Sequence, residues 1–467
     1  MVYNSFNFLV IFPLIFLLYY LIPARYNRAR TQFLLVVSYS LYMSWNPLLV
    51  LVLGGATFIS YMVGKYIDKG KRKRGYLVVG IILSLLPLLL FKYFNFFGEI
   101  LHDLLLTIGI TYEQKGLNWT IPVGLSFYTL QAISYMSDVY QKKIKAESDF
   151  IIYALYLSFF PTILMGPINR ASQLIPQLKN IRSYFDYPKA VEGLRFLLWG
   201  MFMKVVIADR SGIYVDAIYE NYQIYSGSTC FIASIMYSIQ IYCDFAGYSL
   251  MAMGVGKILG IEIMENFRRP YFSSSVSEFW KRWHISLSSW LRDYIYIPLG
   301  GSRAGKIKTY RNLLITFFIS GLWHGANWTF ILWGGAHAVW MIIERVLKVF
   351  KIGPDNMSQT IKIVFTFFFV DLAWIMFHSP SIYVAKTFYL KIFAFDNMTA
   401  LYSPSAITVL LILIVLIKEI MDEYFPNKIR LLNSKKVVVR WTTYISLISL
   451  IMLEGVLDSG NFIYASF

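Results

Sequence analysis

Charge is scarce in this sequence, and so is cysteine. Asp, Glu, Lys and Arg make up 15% of its 467 residues, where a soluble domain carries about 25%. That shortage argues against a water-soluble globule. The two cysteines, Cys230 and Cys243, have no disulfide or metal-site spacing. Both fall in apolar runs and read as small buried side chains. No other cluster has metal-ligand spacing, so no metal is expected. There is no glycine-rich loop followed by Lys-Ser or Lys-Thr, which leaves nucleotide hydrolysis unsupported. Ser286, Ser288 and Ser289 are not framed by glycines, so a serine nucleophile elbow is missing too. No long polar segment, repeat or low-complexity tract interrupts the chain, and residues 1–467 read as a single integral-membrane domain.

What is present is oil and aromatic rings. Hydrophobic residues reach 57% and aromatics 18%, with a mean hydropathy of +0.55. This predicts an all-α polytopic membrane protein whose aromatics anchor at the bilayer interfaces. The net charge of +17 invites a nucleic-acid reading. The cations lie instead in short loops between apolar runs, where they set topology and meet anionic lipid headgroups. No nucleic-acid partner is expected.

Ser5–Ile22 has no basic residue before it and no small-x-small site after it, so it reads as a retained first span rather than a signal peptide. Gln32–Trp45 and Pro47–Lys65 read as a hairpin broken at Asn46-Pro47. The loop Lys65–Gly75, with Lys69, Lys71, Arg72, Lys73 and Arg74, marks the cytoplasmic side. Tyr76–Phe97 crosses outward, Gly98–Asn118 is a loop, and Trp119–Tyr140 returns. Phe150–Met165 meets Gly166-Pro167 between basic loops that include Arg170 and Arg182. It predicts a re-entrant or short broken hairpin, tolerated at membrane depth only under protein cover. Gly193–Ala208 crosses with Lys204 inside it, Asp209–Gly227 is an external loop, and Phe231–Leu259 returns. Glu262–Arg311 is too polar to span and reads as interfacial and re-entrant helices. Asn312–Ile343 is split near Gly325, with Arg345, Lys348 and Lys351 closing it inside. Ile363–Phe377, Ile407–Ile417 and Thr442–Leu453 follow, the last two separated by the basic loop Lys428–Arg440. The count is roughly ten to twelve transmembrane and re-entrant helices. Both termini, including the tail Glu454–Phe467, are placed outside.

Chemistry concentrates between Cys243 and Asn327. Of five histidines, His324 stands out: Gly321-Leu-Trp-His324-Gly-Ala-Asn327-Trp breaks an apolar run. Ionisable groups at that depth are expensive and usually functional. A neutral imidazole there can take a proton from an attacking hydroxyl; the alternative is a histidine bonded across helices for packing. Trp323 and Asn327 flank the same position, and Asn327 could orient the ring or donate to an oxyanion. His284 lies in Phe279-Trp-Lys-Arg-Trp-His284-Ile-Ser, a stretch that also suits an interfacial amphipathic helix. His337, at helical spacing from Trp333 and Trp340, reads as packing; His102 and His378 fall near span ends. Arg268, Arg269, Lys281, Arg282, Arg292 and Arg303 suit the phosphates of a large anion such as coenzyme A, or of lipid.

At these residues the sequence resembles the membrane-bound O-acyltransferase (MBOAT) family, and within it the bacterial alginate O-acetyltransferase membrane-subunit branch. The matching phrases are Gln240-Ile-Tyr-Cys-Asp-Phe-Ala-Gly-Tyr248, Asn266-Phe-Arg-Arg-Pro-Tyr-Phe272, the run Glu278–Gly301, and Gly321–Trp328. Leu125–Gln131, Phe159–Pro167 and Phe462-Ile-Tyr464 also fit. Leu250 departs from the aspartate common in that branch and is closer to the D-alanyl-lipoteichoic-acid relatives. The resemblance implies a ring of helices around a thin central funnel in the bacterial cytoplasmic membrane. It implies His324 as catalytic residue and His284 as the second histidine. It implies acetyl transfer from cytoplasmic acetyl-CoA across the membrane, through a periplasmic or extracellular acetyltransferase partner protein, to a polysaccharide acceptor. D-Alanyl transfer to teichoic acid is the alternative within the family. A lipid-linked solute transporter, or a membrane scaffold for a glycan-synthesis complex, is the alternative outside it.

Overall fold

The computed structural model describes residues 3, 6–112, 116–181, 184–303, 305–349, 358–394, 402–425 and 431–456. Arg182, Lys351, Lys428, Phe462–Tyr464 and the tail beyond residue 456 lie outside them. Among the described residues the secondary structure is helical, with no strand. Six helices are long and apolar enough to cross a membrane: Pro47–Lys69, Lys73–Thr107, Gly227–Ile258, Trp328–Lys348, Gln359–His378 and Val437–Glu454. The remaining predicted spans are shorter, more polar, bulged or broken. The chain is an all-helical polytopic membrane protein, and it folds as two compact units.

Residues 7–193 with 255–264 form the first unit. The break expected at Asn46-Pro47 is there: Pro47–Leu49 is one 3-10 turn, and the Leu48 N–H donates to Asn46 Oδ1 at 3.0 Å. The basic loop is shorter than the sequence suggested. Its cations Lys65 and Lys69 end the helix Val50–Lys69, and Lys73 already begins the next. The helix Lys73–Leu88 carries Pro87, which has no N–H to give. The ladder widens into a π-type turn at Leu89–Tyr93 and resumes as Phe94–Thr107. The expected loop Gly98–Asn118 is therefore helical through Thr107, because Ile100, Leu101, Leu104 and Leu105 continue the apolar period.

Gly124 precedes the buried helix Leu125–Tyr140 with φ +72°, and a Cβ there would sit 2.1 Å from the Ile163 carbonyl oxygen. That oxygen belongs to the predicted broken hairpin. Helix Phe150–Ser158 is nine residues long, turns through 159–166, and restarts at Ala171–Lys179. The turn is buried but its polar groups are met. Gly166 N–H donates to Thr162 O, Phe160 N–H to Ser38 Oγ, and Asn169 Nδ2 to Thr162 Oγ1.

The second unit holds residues 194–254 and those from 265 onward. Here the predicted external loop Asp209–Gly227 is mostly helix. A π-type turn, Phe202–Ala208, runs straight into Asp209–Glu220. Asp209 is not a loop acid but a counter-ion. Lys204 Nζ lies 2.6 Å from Asp209 and 2.5 Å from Asp244, all three side chains nearly fully buried. Gly200 and Gly247 let the two helices touch beside this triad, each Cβ position falling within 2.7 Å of the other's carbonyl oxygen. Helix Ile382–Ala394 was not foreseen, since its thirteen residues include Lys386 and Lys391. The Lys391 ammonium donates to the carbonyls of Gln223 and Tyr225. Glu262–Arg311 gives short helices as expected, among them Val276–Arg282 and Ile285–Leu291.

The split near Gly325 is confirmed. Helix Lys306–His324 ends at the histidine, and Trp328–Val349 leads away beside it. Backbone meets backbone along this pair: a Cβ on Gly321 would lie 2.3 Å from Phe330 O, and one on Gly334 2.3 Å from Phe317 O.

Two outcomes check this packing. Gly334→Val should lower the detergent melting temperature, equivalent to at least about 1–3 kcal/mol of overpacking; an unchanged melting curve would refute the close approach. Lys204→Ala should be worse, at about 3–5 kcal/mol, because it strands two buried carboxylates. Accumulation of that variant at wild-type levels and stability would show that the triad does not hold the helices.

Candidate active site

His324 is the last residue of its helix, and its position follows from the break. Gly325 takes an extended conformation, and its N–H returns to Gly321 O at 3.2 Å. A side chain at 325 would collide with the Phe330 ring, 2.0 Å from its Cβ position. Asn327 then starts the next helix. Its Oδ1 accepts the Thr329 N–H at 3.0 Å, and its Nδ2 donates to Pro380 O at 2.8 Å. Both polar ends of Asn327 thus make hydrogen bonds that hold the break.

The His324 imidazole sits in an aromatic cage. Trp323, Trp333 and Phe377 stand edge-on to it at 4.9, 5.0 and 5.2 Å between centroids. The residue is 3% exposed. A cleft of about 480 Å³ lies elsewhere in this unit, lined by Tyr242, Tyr271, Phe367 and Glu419 among others, and neither His324 nor His284 lines it.

His284 belongs to the same core. Its ring is 6.0 Å from that of Trp323, so the same indole neighbours both imidazoles. His284 joins two short helices and has left-handed backbone angles, φ 43° and ψ 54°. Few non-glycine residues adopt them without support. Burial pushes the imidazole down to about 3, so it is neutral.

Of the cations singled out in the sequence, Arg268, Arg269, Lys281 and Arg282 are placed at the neighbouring short helix Val276–Arg282 and the turn before it, and carboxylates meet several of them. Arg282 bridges Glu423 at 2.8 Å and Glu278 at 2.7 Å; Arg269 also reaches Glu423, and Arg268 pairs with Glu265. Burial pushes the Glu423 carboxyl up, but the hydrogen bonds from Arg269 and Arg282 outweigh it and hold it below the usual range. Lys281 is exposed on the same short helix. Arg292 pairs with Asp293, and Arg303 is exposed.

Of the other histidines, His337 also borders the cage, its ring 5.1 Å from that of Trp333. His337 accepts the Trp280 indole N–H at 3.2 Å and is packed among Phe279, Phe317 and Trp333. His378 packs on Tyr219 and Tyr237, and His102 is half-buried beside Tyr112. Sequence reasoning missed three carboxylates. Glu344 accepts the Val276 and Ser277 N–H groups and so starts the helix Val276–Arg282. Asp371 accepts hydrogen bonds from Ser234 and Ser238 at 2.9 and 2.6 Å. Glu423 is the third. An acid inside an apolar run was the available signal for Asp371 and Glu344.

Comparison with known proteins fits this arrangement. The model of the membrane-bound O-acyltransferase family matches residues 34–385. A protein named Probable alginate O-acetylase in Pseudomonas aeruginosa is 38% identical over 85% of this chain and 76% of its own length. The peptidoglycan O-acetyltransferase of Helicobacter pylori is 33% identical over 79% of this chain and 75% of its own. The teichoic acid D-alanyltransferase of Bacillus subtilis is 28% identical over 73% of this chain and 85% of its own. The broken helix pair, the caged histidine and these matches lead to one conclusion: the chain belongs to the membrane-bound O-acyltransferase family and is an integral-membrane O-acyltransferase.

Proposed function

We propose that this enzyme moves an acetyl group from cytoplasmic acetyl-CoA to an extracytoplasmic polysaccharide, by way of a partner acetyltransferase on the outer side. One observation carries the catalytic part: a histidine held at a helix break, with a second histidine beside the same indole. The acetyl donor is favoured over D-alanyl by the higher identity to the alginate and peptidoglycan O-acetyl proteins. The chain would sit in the bacterial cytoplasmic membrane with both termini outside, as the basic turn around Lys69–Arg74 suggests.

In this reading the acceptor hydroxyl gives its proton to a neutral nitrogen of His324. The hydroxyl oxygen bonds to the acetyl carbonyl carbon, the carbon–sulfur bond breaks, and the leaving thiolate recovers the proton from the imidazolium. His284 supports the reaction from beside Trp323, and Trp323 lines the substrate path. Alignment of donor and acceptor at one ring supplies much of the rate. Lys281, exposed, meets the donor phosphates first. Arg282, Arg269 and Arg268 then exchange carboxylate oxygens for phosphate oxygens. The donor's electrostatic gain is therefore partly offset by the pairs it breaks. Asn327 acts indirectly, by holding the break that presents His324.

Two measurements test this. His324→Ala should cut acetyl-CoA turnover in proteoliposomes, and acetylation of the product in cells, by about 10²- to 10⁴-fold with normal membrane insertion. Wild-type acetylation in that variant defeats the assignment, and turnover of a D-alanyl thioester in place of acetyl-CoA redirects it to teichoic acid. Arg282→Ala should raise KM for acetyl-CoA about tenfold, the value of one charge-assisted hydrogen bond. An unchanged KM with a lower melting temperature would make the ion-pair cluster purely structural.

A further inference from the structure

His284 is the less explained of the two histidines, and what holds it is unusually specific. Asn266 is 1% exposed and grips both sides of the short helix start. Its backbone carbonyl accepts the Ile285 N–H at 2.9 Å, and the Arg268 N–H, two residues on, donates to Arg282 O at 2.9 Å. Its Nδ2 donates to Ser249 Oγ at 3.3 Å. Its Oδ1 accepts the Ser286 N–H at 3.1 Å and the Ser286 hydroxyl at 2.9 Å. A backbone N–H can only donate, so the Asn266 atom facing it is the oxygen and the amide orientation is fixed.

The third group on that oxygen is His284 Nδ1, at 3.1 Å. The Ser286 hydroxyl also lies 3.4 Å from Nδ1, but its hydrogen goes to Asn266 Oδ1 over the shorter 2.9 Å; two acceptors cannot bond to each other, so Nδ1 carries the hydrogen that faces Asn266 Oδ1. With the ring neutral, that is its single proton, and the lone pair is left on Nε2.

We propose that Asn266 is a positioning residue for acyl transfer: its side-chain oxygen fixes His284 as the Nδ1–H tautomer and makes Nε2 the basic, working nitrogen. The proposal rests on the supporting role of His284 given above. It assigns chemistry to the Asn-Phe-Arg-Arg phrase, which otherwise reads as a turn. Asn266 does not touch substrate; it acts through the ring, and the same bonds hold that ring's left-handed backbone.

The test is a double-mutant cycle on the full-length protein in proteoliposomes, following CoA release from acetyl-CoA together with melting temperature. Asn266→Ala should lower kcat by about 100-fold or more, the scale seen when a histidine loses its tautomer partner. KM for acetyl-CoA should stay within about threefold. Placed in a His284→Ala background, the same change should cost nothing further. Asn266→Asp keeps an oxygen against Nδ1–H and should recover at least about tenfold over Asn266→Ala. Losses that multiply in the double variant overturn the proposal. So does an Asn266→Asp protein that melts like wild type yet turns over no faster than His284→Ala; that comparison decides alone if Asn266→Ala does not accumulate. His284→Ala with wild-type kcat would sink the role of His284 itself, whereas an inactive His284→Ala beside a fully active Asn266→Ala sinks only the positioning role.

Discussion

The second unit depends on a helix that ends in the protein interior. A helix end leaves carbonyls and amides unbonded, and at membrane depth water is not there to meet them. The chain answers with local bonds at the break. The Gly325 N–H turns back to Gly321, Asn327 caps the following helix and ties it to Pro380, and Phe330 fills the space that a side chain at 325 would occupy. Only then can a histidine stand at the helix terminus without an open polar gap beneath it. The placement of His324 is thus a by-product of solving a backbone problem.

Charge in this unit follows the same rule of local satisfaction. Lys204 is matched by Asp209 and Asp244, Asp371 by two serine hydroxyls, and Glu423 by two guanidinium groups. The phrase Gln240–Tyr248, which carried family resemblance, has structural duties: Asp244 holds Lys204, and Gly247 admits Gly200.

Much of this was legible in the chain. The breaks at Asn46-Pro47, Phe159–Pro167 and Gly325 were readable because proline and glycine act locally. The two histidines emerged because polar residues are rare in an oily background. Element ends were harder. Gly98–Thr107 and Asp209–Glu220 looked like loops because they carry acids; in the first the apolar period outweighs them, and in the second Lys204 is the distant partner that Asp209 needs. The basic cluster was visible, but its carboxylate partners were not. Glu423 lies 154 residues from Arg269, and no periodicity links them. Which residues surround His324, and the bond from Asn266 to His284, likewise depend on contacts far apart in sequence.

The indole of Trp323 has a consequence for how such an enzyme can change. Its ring centroid lies 4.9 Å from that of His324 and 6.0 Å from that of His284. Any exchange at that position disturbs both imidazoles together, so neither histidine's surroundings can be retuned in isolation. A change confined to the His324 side would have to fall on another wall of the cage, such as Phe377, whose ring lies 5.2 Å from that of His324.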